Sequence, residues 1–208
     1  NYGFNHGINA NNGYVESERT NQENRQDFNF RNKNNSHLLK FGMDYYINDK
    51  NTLSVYTNQN KLIGDGKVDV SILNPDATKN LTQYSKYDGN NLDGTYNLAF
   101  KHLTKKEGET LDLEINHSIY SGDQLANFRT TFNNPSIPTS AYSDDISEKR
   151  ENSTINLDYV NPLNEKSKLE MGAETRIVRT QNNYTTNNSS LSNSNYDYDL
   201  DIHSAYVT

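Results

Sequence analysis

Apolar and polar residues alternate most clearly between His37 and Leu62. Leu39, Phe41, Met43, Tyr45 and Ile47 share one parity, and Lys40, Gly42, Asp44 and Tyr46 the other. A period of two predicts a β-strand with one apolar and one polar face. Residues 48–51 read Asn-Asp-Lys-Asn, a short turn of the residues that turns favour. Leu53 and Val55 then resume the apolar parity against Ser54 and Tyr56, which completes a hairpin.

The same pattern recurs down the chain. Leu92, Tyr96, Leu98 and Phe100 oppose Asp93, Thr95, Asn97 and Lys101; after a tight turn at 105–109, Leu111, Leu113, Ile115 and Ile119 oppose Asp112, Glu114, Asn116 and Ser118. Ile155, Leu157 and Tyr159 oppose Asn156 and Asp158. Past a turn at 162–166, Leu169, Met171, Ala173 and Ile177 oppose Lys168, Glu170, Glu174 and Arg176. The last strand sets Tyr196, Tyr198, Leu200 and Ile202 against Asp197, Asp199, Asp201 and His203. Residues 2–18 form a weaker strand with Tyr2, Phe4 and Ile8 in phase, 19–25 read as a polar loop, and Phe28 and Phe30 extend the next strand. Long polar stretches at 63–79, 121–147 and 181–195 are expected to be loops. Tight turns at Asp49, Glu107 and Glu165 are evenly spaced. The fold class is therefore all-β and up-and-down antiparallel, with about eight strands, short turns at one end and long loops at the other.

Composition narrows the setting. Only 32% of the 208 residues are hydrophobic, yet 15 are Tyr and 7 are Phe. Aromatic richness argues against disorder, and low apolar content argues against an ordinary core. Strands with one wet face satisfy both. No stretch approaches the roughly 18 apolar residues of a membrane helix, and no start of the signal-peptide type is present. There is no cysteine, and a net charge of −7 gives no reason to expect nucleic acid.

The polar parity decides which medium the apolar parity meets. Asp44, Lys101, Glu114, Asp158, Glu170 and Arg176, with Glu174, are too charged for the centre of a soluble sandwich. They suit a wet lumen, which leaves the apolar parity facing lipid. Short turns and long loops joined by amphipathic strands are the outer-membrane barrel pattern, with the short turns periplasmic and the long loops extracellular. Closure into a barrel follows because an unpaired sheet edge cannot sit in hydrocarbon. Tyr45, Phe100 and Tyr159 each precede a tight turn on the apolar parity, which predicts an interfacial aromatic ring.

Candidate chemistry is sparse. Asp197, Asp199 and Asp201 share a strand face, but carboxylates about 6.8 Å apart cannot all reach one Ca²⁺. A solvated lumen face accounts for them. His6, His37, His102, His117 and His203 have no ligand spacing, and His102 and His117 fall on the apolar parity. No nucleophile elbow or phosphate loop occurs. The expectation is no enzyme, no catalytic residue, no cofactor and no metal. Tyr120, Phe128, Phe132 and Tyr142 flank the longest expected loop, where they either grip a peptide, glycan or chelate or pack the loop on itself.

The stretches LLKFGMDYYINDKNTLSVY, YNLAFKHLTKKEGETLDLEINHSIY and INLDYVNPLNEKSKLEMGAETRIV resemble barrel hairpins of TonB-dependent receptors, and most closely the outer-membrane β-barrel family of Bacteroidota. The resemblance covers roughly residues 37–207. It implies a bacterial outer-membrane nutrient importer whose barrel has 22 strands, an N-terminal plug and a TonB-contacting segment. The eight strands here would then be part of one barrel domain spanning residues 1–208, with plug and remaining strands absent. Implied partners are outer-membrane lipid, the receptor's own plug, the TonB complex and a surface lipoprotein. Two alternatives stay open: a small eight-stranded structural barrel, and a secreted β-rich binding module.

Overall fold

The computed structural model describes residues 1–19 and 22–208, with only the backbone described at 18, 19, 22 and 23. Eight strands run β1 (Tyr2–Arg19), β2 (Gln22–Asn48), β3 (Asn51–Leu73), β4 (Leu81–Leu103), β5 (Thr110–Phe132), β6 (Ser140–Asn164), β7 (Ser167–Thr186) and β8 (Ser194–Val207). They form one antiparallel up-and-down sheet in sequence order. Every ladder is between chain neighbours, and β1 and β8 do not pair with each other, so the sheet is open.

The tight turns fall where alternation predicts them, at 49–50, 104–109 and 165–166. Register shifts mark the approaches at Tyr46/Asn48 and Pro162/Asn164. In the 104–109 turn, Gly108 takes φ 76°, a left-handed conformation that suits glycine.

Strand pairing corrects the loop expectations. Residues 63–73, 121–132, 140–147, 181–186 and 194–195 are strand, and the connections shrink to 74–80, 133–139 and 187–193. The first of these holds a single 3₁₀ turn, Ala77–Lys79, capped by Asp76, which accepts from Thr78 N at 3.1 Å and Thr78 Oγ1 at 2.7 Å. Those two bonds hold the Asp76 carboxyl below its ordinary range. The polar loop expected at 19–25 is also strand at Arg19 and from Gln22 onward, while residues 20 and 21 lie outside the described residues.

The physical reason is a change of phase within the strands. In β3 the apolar residues are odd-numbered near the turn (Leu53, Val55) and even-numbered further out (Val68, Val70, Ile72). In β5 they pass from Leu111–Ile119 on odd positions to Ala126, Phe128 and Phe132 on even ones. Backbone ladders continue regardless of this exchange, because their bonds do not depend on side-chain polarity.

Exposure identifies the curvature. Ile155, Leu157 and Met171 are exposed, whereas the intervening Asn156, Asp158 and Gly172 are half-buried. Further out, Asp65, Lys67 and Asp69 are exposed, and Gly66, Val68 and Val70 are more covered. The same face is convex throughout. Near the tight turns it is apolar and beyond them it is charged; the concave face is charged near the turns and rich in aromatics and amides further out, where Asp93, Asp144, Glu148 and Arg150 also stand. Among the described residues Ala126, at 3% exposure, is the single buried hydrophobic side chain, so the sheet has no conventional core.

The edge of the convex apolar belt is oblique. The first convex-face charge beyond it is Asp201 in β8, Arg179 in β7, Glu151 in β6, Asp123 in β5 and Asp88 in β4, and Lys33 lies in the row of Asp88. Followed by register the edge climbs away from the tight turns between β8 and β4, and in β3 it drops back to Lys61, in register with Leu92.

Candidate functional site

All six residues expected to line a lumen lie on the concave face. Lys101, Asp112, Asp158, Gly172 and Tyr206 form one cross-strand row, with Lys101 Nζ 3.8 Å from Asp112 Oδ1 and the Tyr206 hydroxyl donating to Asp158 Oδ1 at 2.8 Å. Gly172 makes room for this bond: a Cβ there would clash with the Tyr206 ring. Asp44 and Glu114 share another row through Ser54 and Ala99. Glu114 accepts from Asn97 Nδ2 at 2.9 Å, and Arg176 Nη2 reaches Glu174 Oε1 at 3.1 Å. Glu170 pairs with Lys168. These groups are exposed to water, which screens their pairs and leaves them little weight in stability. The wall carries both signs of charge and is wet.

The aromatic set stands on strands, with Phe132 and Tyr142 on either side of the 133–139 connection. Tyr120, Phe128 and Phe132 stand on β5 and Tyr142 on β6, all on the concave face, with Tyr120 in register with Asp93 and Arg150. Phe128 stacks on Tyr142 at 4.7 Å between ring centroids and meets Tyr87 edge-on at 6.0 Å. Burial, with Asp144 nearby, pushes the Tyr142 hydroxyl above its usual range. Tyr120 is separate: Arg150 lies over its ring at 4.5 Å and reaches Glu148 at 3.0 Å. Phe132 closes β5 in register with Leu81.

The last strand requires a second correction. Tyr196, Tyr198, Leu200 and Ile202 are concave, opposite Asn182, Thr180, Val178 and Arg176, while Asp197, Asp199 and Asp201 are convex. They lie on the face opposite the six residues expected to line a lumen. Asp201 Oδ1 is 2.6 Å and Asp199 Oδ1 3.5 Å from the Arg179 guanidinium, which takes the place a cation would have. Among the described residues no cluster of three or more potential metal ligands occurs. His102 and His117 lie on the convex face as their parity indicates, bonded to Asn51 Oδ1 and Ser153 Oγ. Tyr45 and Phe100 share one convex row and Tyr159 stands in the next, so the three form a ring near the tight turns.

Sequence reasoning missed the aromatic and amide surface of the outer concave face. Its signal was present in the even-numbered Val68, Val70 and Ile72 and in Phe28 and Phe30, which pair with Val70 and Val68. Between β2 and β5 this surface opens into a groove of about 560 Å³ that includes Asn32, Gly64, Tyr87, Asn91 and Tyr120.

Residues 102–208 match the family described as "Outer membrane protein beta-barrel family". No curated protein matches the chain. Among solved structures, the ferric citrate transporter FecA in its unliganded form is similar at 8% identity and a TM-score of 0.32, covering 98% of this chain and 39% of that one. The ferric yersiniabactin uptake receptor FyuA from Yersinia pestis gives 10% and 0.33, covering 89% and 33%. BauA, the ferric preacinetobactin receptor from Acinetobacter baumannii, gives 8% and 0.29, covering 94% and 40%. This chain thus spans two fifths or less of the length of those proteins.

Proposed function

We propose, from the premise that the chain belongs to the outer membrane protein β-barrel family and resides in the outer membrane, that it forms part of the wall of a wide, plugged, TonB-dependent importer. The observation that carries this reading is the charged concave wall. Asp44, Lys101, Glu114, Asp158, Glu170 and Arg176 all point to the inside of the curve. An eight-stranded barrel has room only for its own side chains, and so many charges packed there would need close, dry pairing. The exposed pairs of this wall are not of that kind. A wide barrel keeps them hydrated or lets them meet a plug.

The open edges of β1 and β8 agree with this reading, because further strands are needed before the sheet can sit in lipid. In this importer the wall does no bond chemistry. It offers a hydrated path inside and an apolar belt outside, and energy for passage comes from TonB at the periplasmic side. The test is growth of the native host, carrying the complete gene, on candidate nutrients with and without functional TonB. A nutrient whose uptake needs both the gene and TonB supports the proposal. A mature protein consisting of a closed eight-stranded barrel would overturn it in favour of a small structural barrel.

A further inference from the structure

We infer that the outer concave face of β2–β5 is a binding site for a neutral, hydroxyl-rich ligand, an oligosaccharide, and that this is the substrate class of the importer; the second half rests on the function proposed above. The groove has three chemical elements. Its floor is glycine: Gly64 and Gly89 face each other across the β3–β4 ladder, next to Gly66. Its walls are two rings, Tyr87 and Tyr120. Its polar groups are the side-chain amides of Asn32, Asn34, Asn91 and Gln124, none of which has a side-chain hydrogen-bond partner among the described residues.

The glycines shape the surface. A Cβ at Gly64 would stand 2.5 Å from Asn34 Oδ1, one at Gly66 2.6 Å from Asn32 Oδ1, and one at Gly122 2.6 Å from the Tyr120 hydroxyl. Glycine therefore lets both amides and one ring lie down along the sheet instead of standing away from it. The result is a broad surface that presents planar donor–acceptor pairs beside aromatic faces. Pyranose sugars display that chemistry in complement: vicinal hydroxyls that bond an amide at both its oxygen and its nitrogen, and a C–H face that packs on a ring.

Charge separates this ligand from the others. Anionic chelates and phosphates call for Arg or Lys, and the floor and walls carry neither. Asp65 borders the groove but occupies a convex position, in the row of Lys33 and Asp88. The nearby concave cation, Arg150, is already engaged by Tyr120 and Glu148. A peptide that binds by strand addition needs free backbone groups, and those of β2–β5 are spent in ladders.

The experiment uses the complete receptor, purified from outer membranes in detergent, and titration calorimetry with maltoheptaose, cellohexaose, mannohexaose, an oligogalacturonate, a neutral hexapeptide and ferric citrate. At least one neutral oligosaccharide binds saturably, and Tyr87→Ala and Tyr120→Ala each weaken it about tenfold, the scale of one lost ring contact. Tyr87→Phe, which keeps the ring, binds as the parent does, and Asn34→Asp, which leaves both rings in place, also weakens binding. Heat-modifiable gel mobility shows that each variant is folded. Absence of neutral-sugar binding, preference for the peptide or ferric citrate, or sugar binding indifferent to both tyrosines overturns the inference. Sugar binding without TonB-dependent uptake overturns the importer and leaves this site standing. TonB-dependent uptake of another nutrient, without sugar binding, does the opposite.

Discussion

Leu113 and Glu114 are consecutive in β5 and face opposite media. Leu113 lies between Phe100 and Leu157 on the convex face, and Glu114 lies between Ala99 and Asn156 on the concave face, accepting from Asn97. Leu113→Arg places a cation against the bilayer interior and is expected to destabilise the folded barrel by about 2–4 kcal/mol, the midplane penalty. Glu114→Gln keeps an acceptor in a wet wall and is expected to change stability by less than about 0.5 kcal/mol. Urea titrations in lipid vesicles rank the two, and the reverse order would show that the convex face does not meet lipid.

The exchange of chemistry along the convex face gives a depth prediction. Spin labels at Ile155→Cys and Asn127→Cys stand on the same convex surface, one within the apolar belt and one beyond its edge. Oxygen collides more with the first, and a water-soluble nickel chelate with the second. Equal accessibility at both positions would remove the belt edge.

Loop length predicts sidedness: the connection at 133–139 is extracellular and the turn at 49–50 periplasmic. A membrane-impermeant thiol reagent applied to intact cells labels Ser136→Cys and spares Asp49→Cys. The opposite labelling pattern means that the orientation is inverted.

The turn between β4 and β5 depends on Gly108. At φ 76° an L side chain is strained, and a Cβ would also stand 3.0 Å from Pro162 Cγ. Gly108→Ala is expected to cost about 1–2 kcal/mol, and Gly108→Asn less, because Asn tolerates the left-handed region. Comparative unfolding of the two variants in lipid decides it; equal losses would mean that crowding, not backbone conformation, sets the cost.

Glu109, in the same turn, gives a pH prediction. Its carboxyl is held below the ordinary range, first by the Thr104 hydroxyl and then by the Tyr159 hydroxyl. A depressed carboxyl pKa contributes stability that is present above the unfolded value, about 4.3, and is lost as pH falls through the folded value. Amide exchange at Lys106 and Glu109, whose N–H groups donate to Thr104 Oγ1 and the Lys106 carbonyl, should therefore accelerate below about pH 4 in the parent, relative to the intrinsic rate. Glu109→Gln should flatten that dependence. A parent whose exchange follows the intrinsic rate throughout the acid range contradicts the assignment.

Parity made the membrane half of the fold legible. Leu39–Ile47, Leu111–Ile119 and Leu169–Ile177 each announce a strand, its face and the position of the next turn. The outer half is hidden by the same rule, because the apolar residues exchange parity partway along each strand and a single parity reads the remainder as loop. Val68, Val70 and Ile72 alternate as regularly as Leu53 and Val55, one position out of step. In β8 the inverted phase occupies most of the strand, so Tyr196–Ile202 suggested the wrong face, and only pairing with β7 resolves it. The common face of Asp44, Lys101, Glu114, Asp158, Glu170 and Arg176 is legible because each neighbours an in-phase apolar residue. The groove was not, since glycine and asparagine carry no periodic signal until the register aligns Gly64 with Asn34 and Gly89.

Apolar side chains confined to alternate positions of half-strands also govern how such a chain travels. No segment presents the run of about 18 apolar residues that would arrest it in the inner membrane, and a mean hydropathy of −1.01 keeps the extended thread compatible with water. Greasiness does not exist locally in this polypeptide. It is created when neighbouring hairpins align Leu53 with Phe100, Phe100 with Leu113 and Leu113 with Leu157. Affinity for the bilayer is thus acquired by assembly, and delivery to the correct membrane is separated in time from commitment to it.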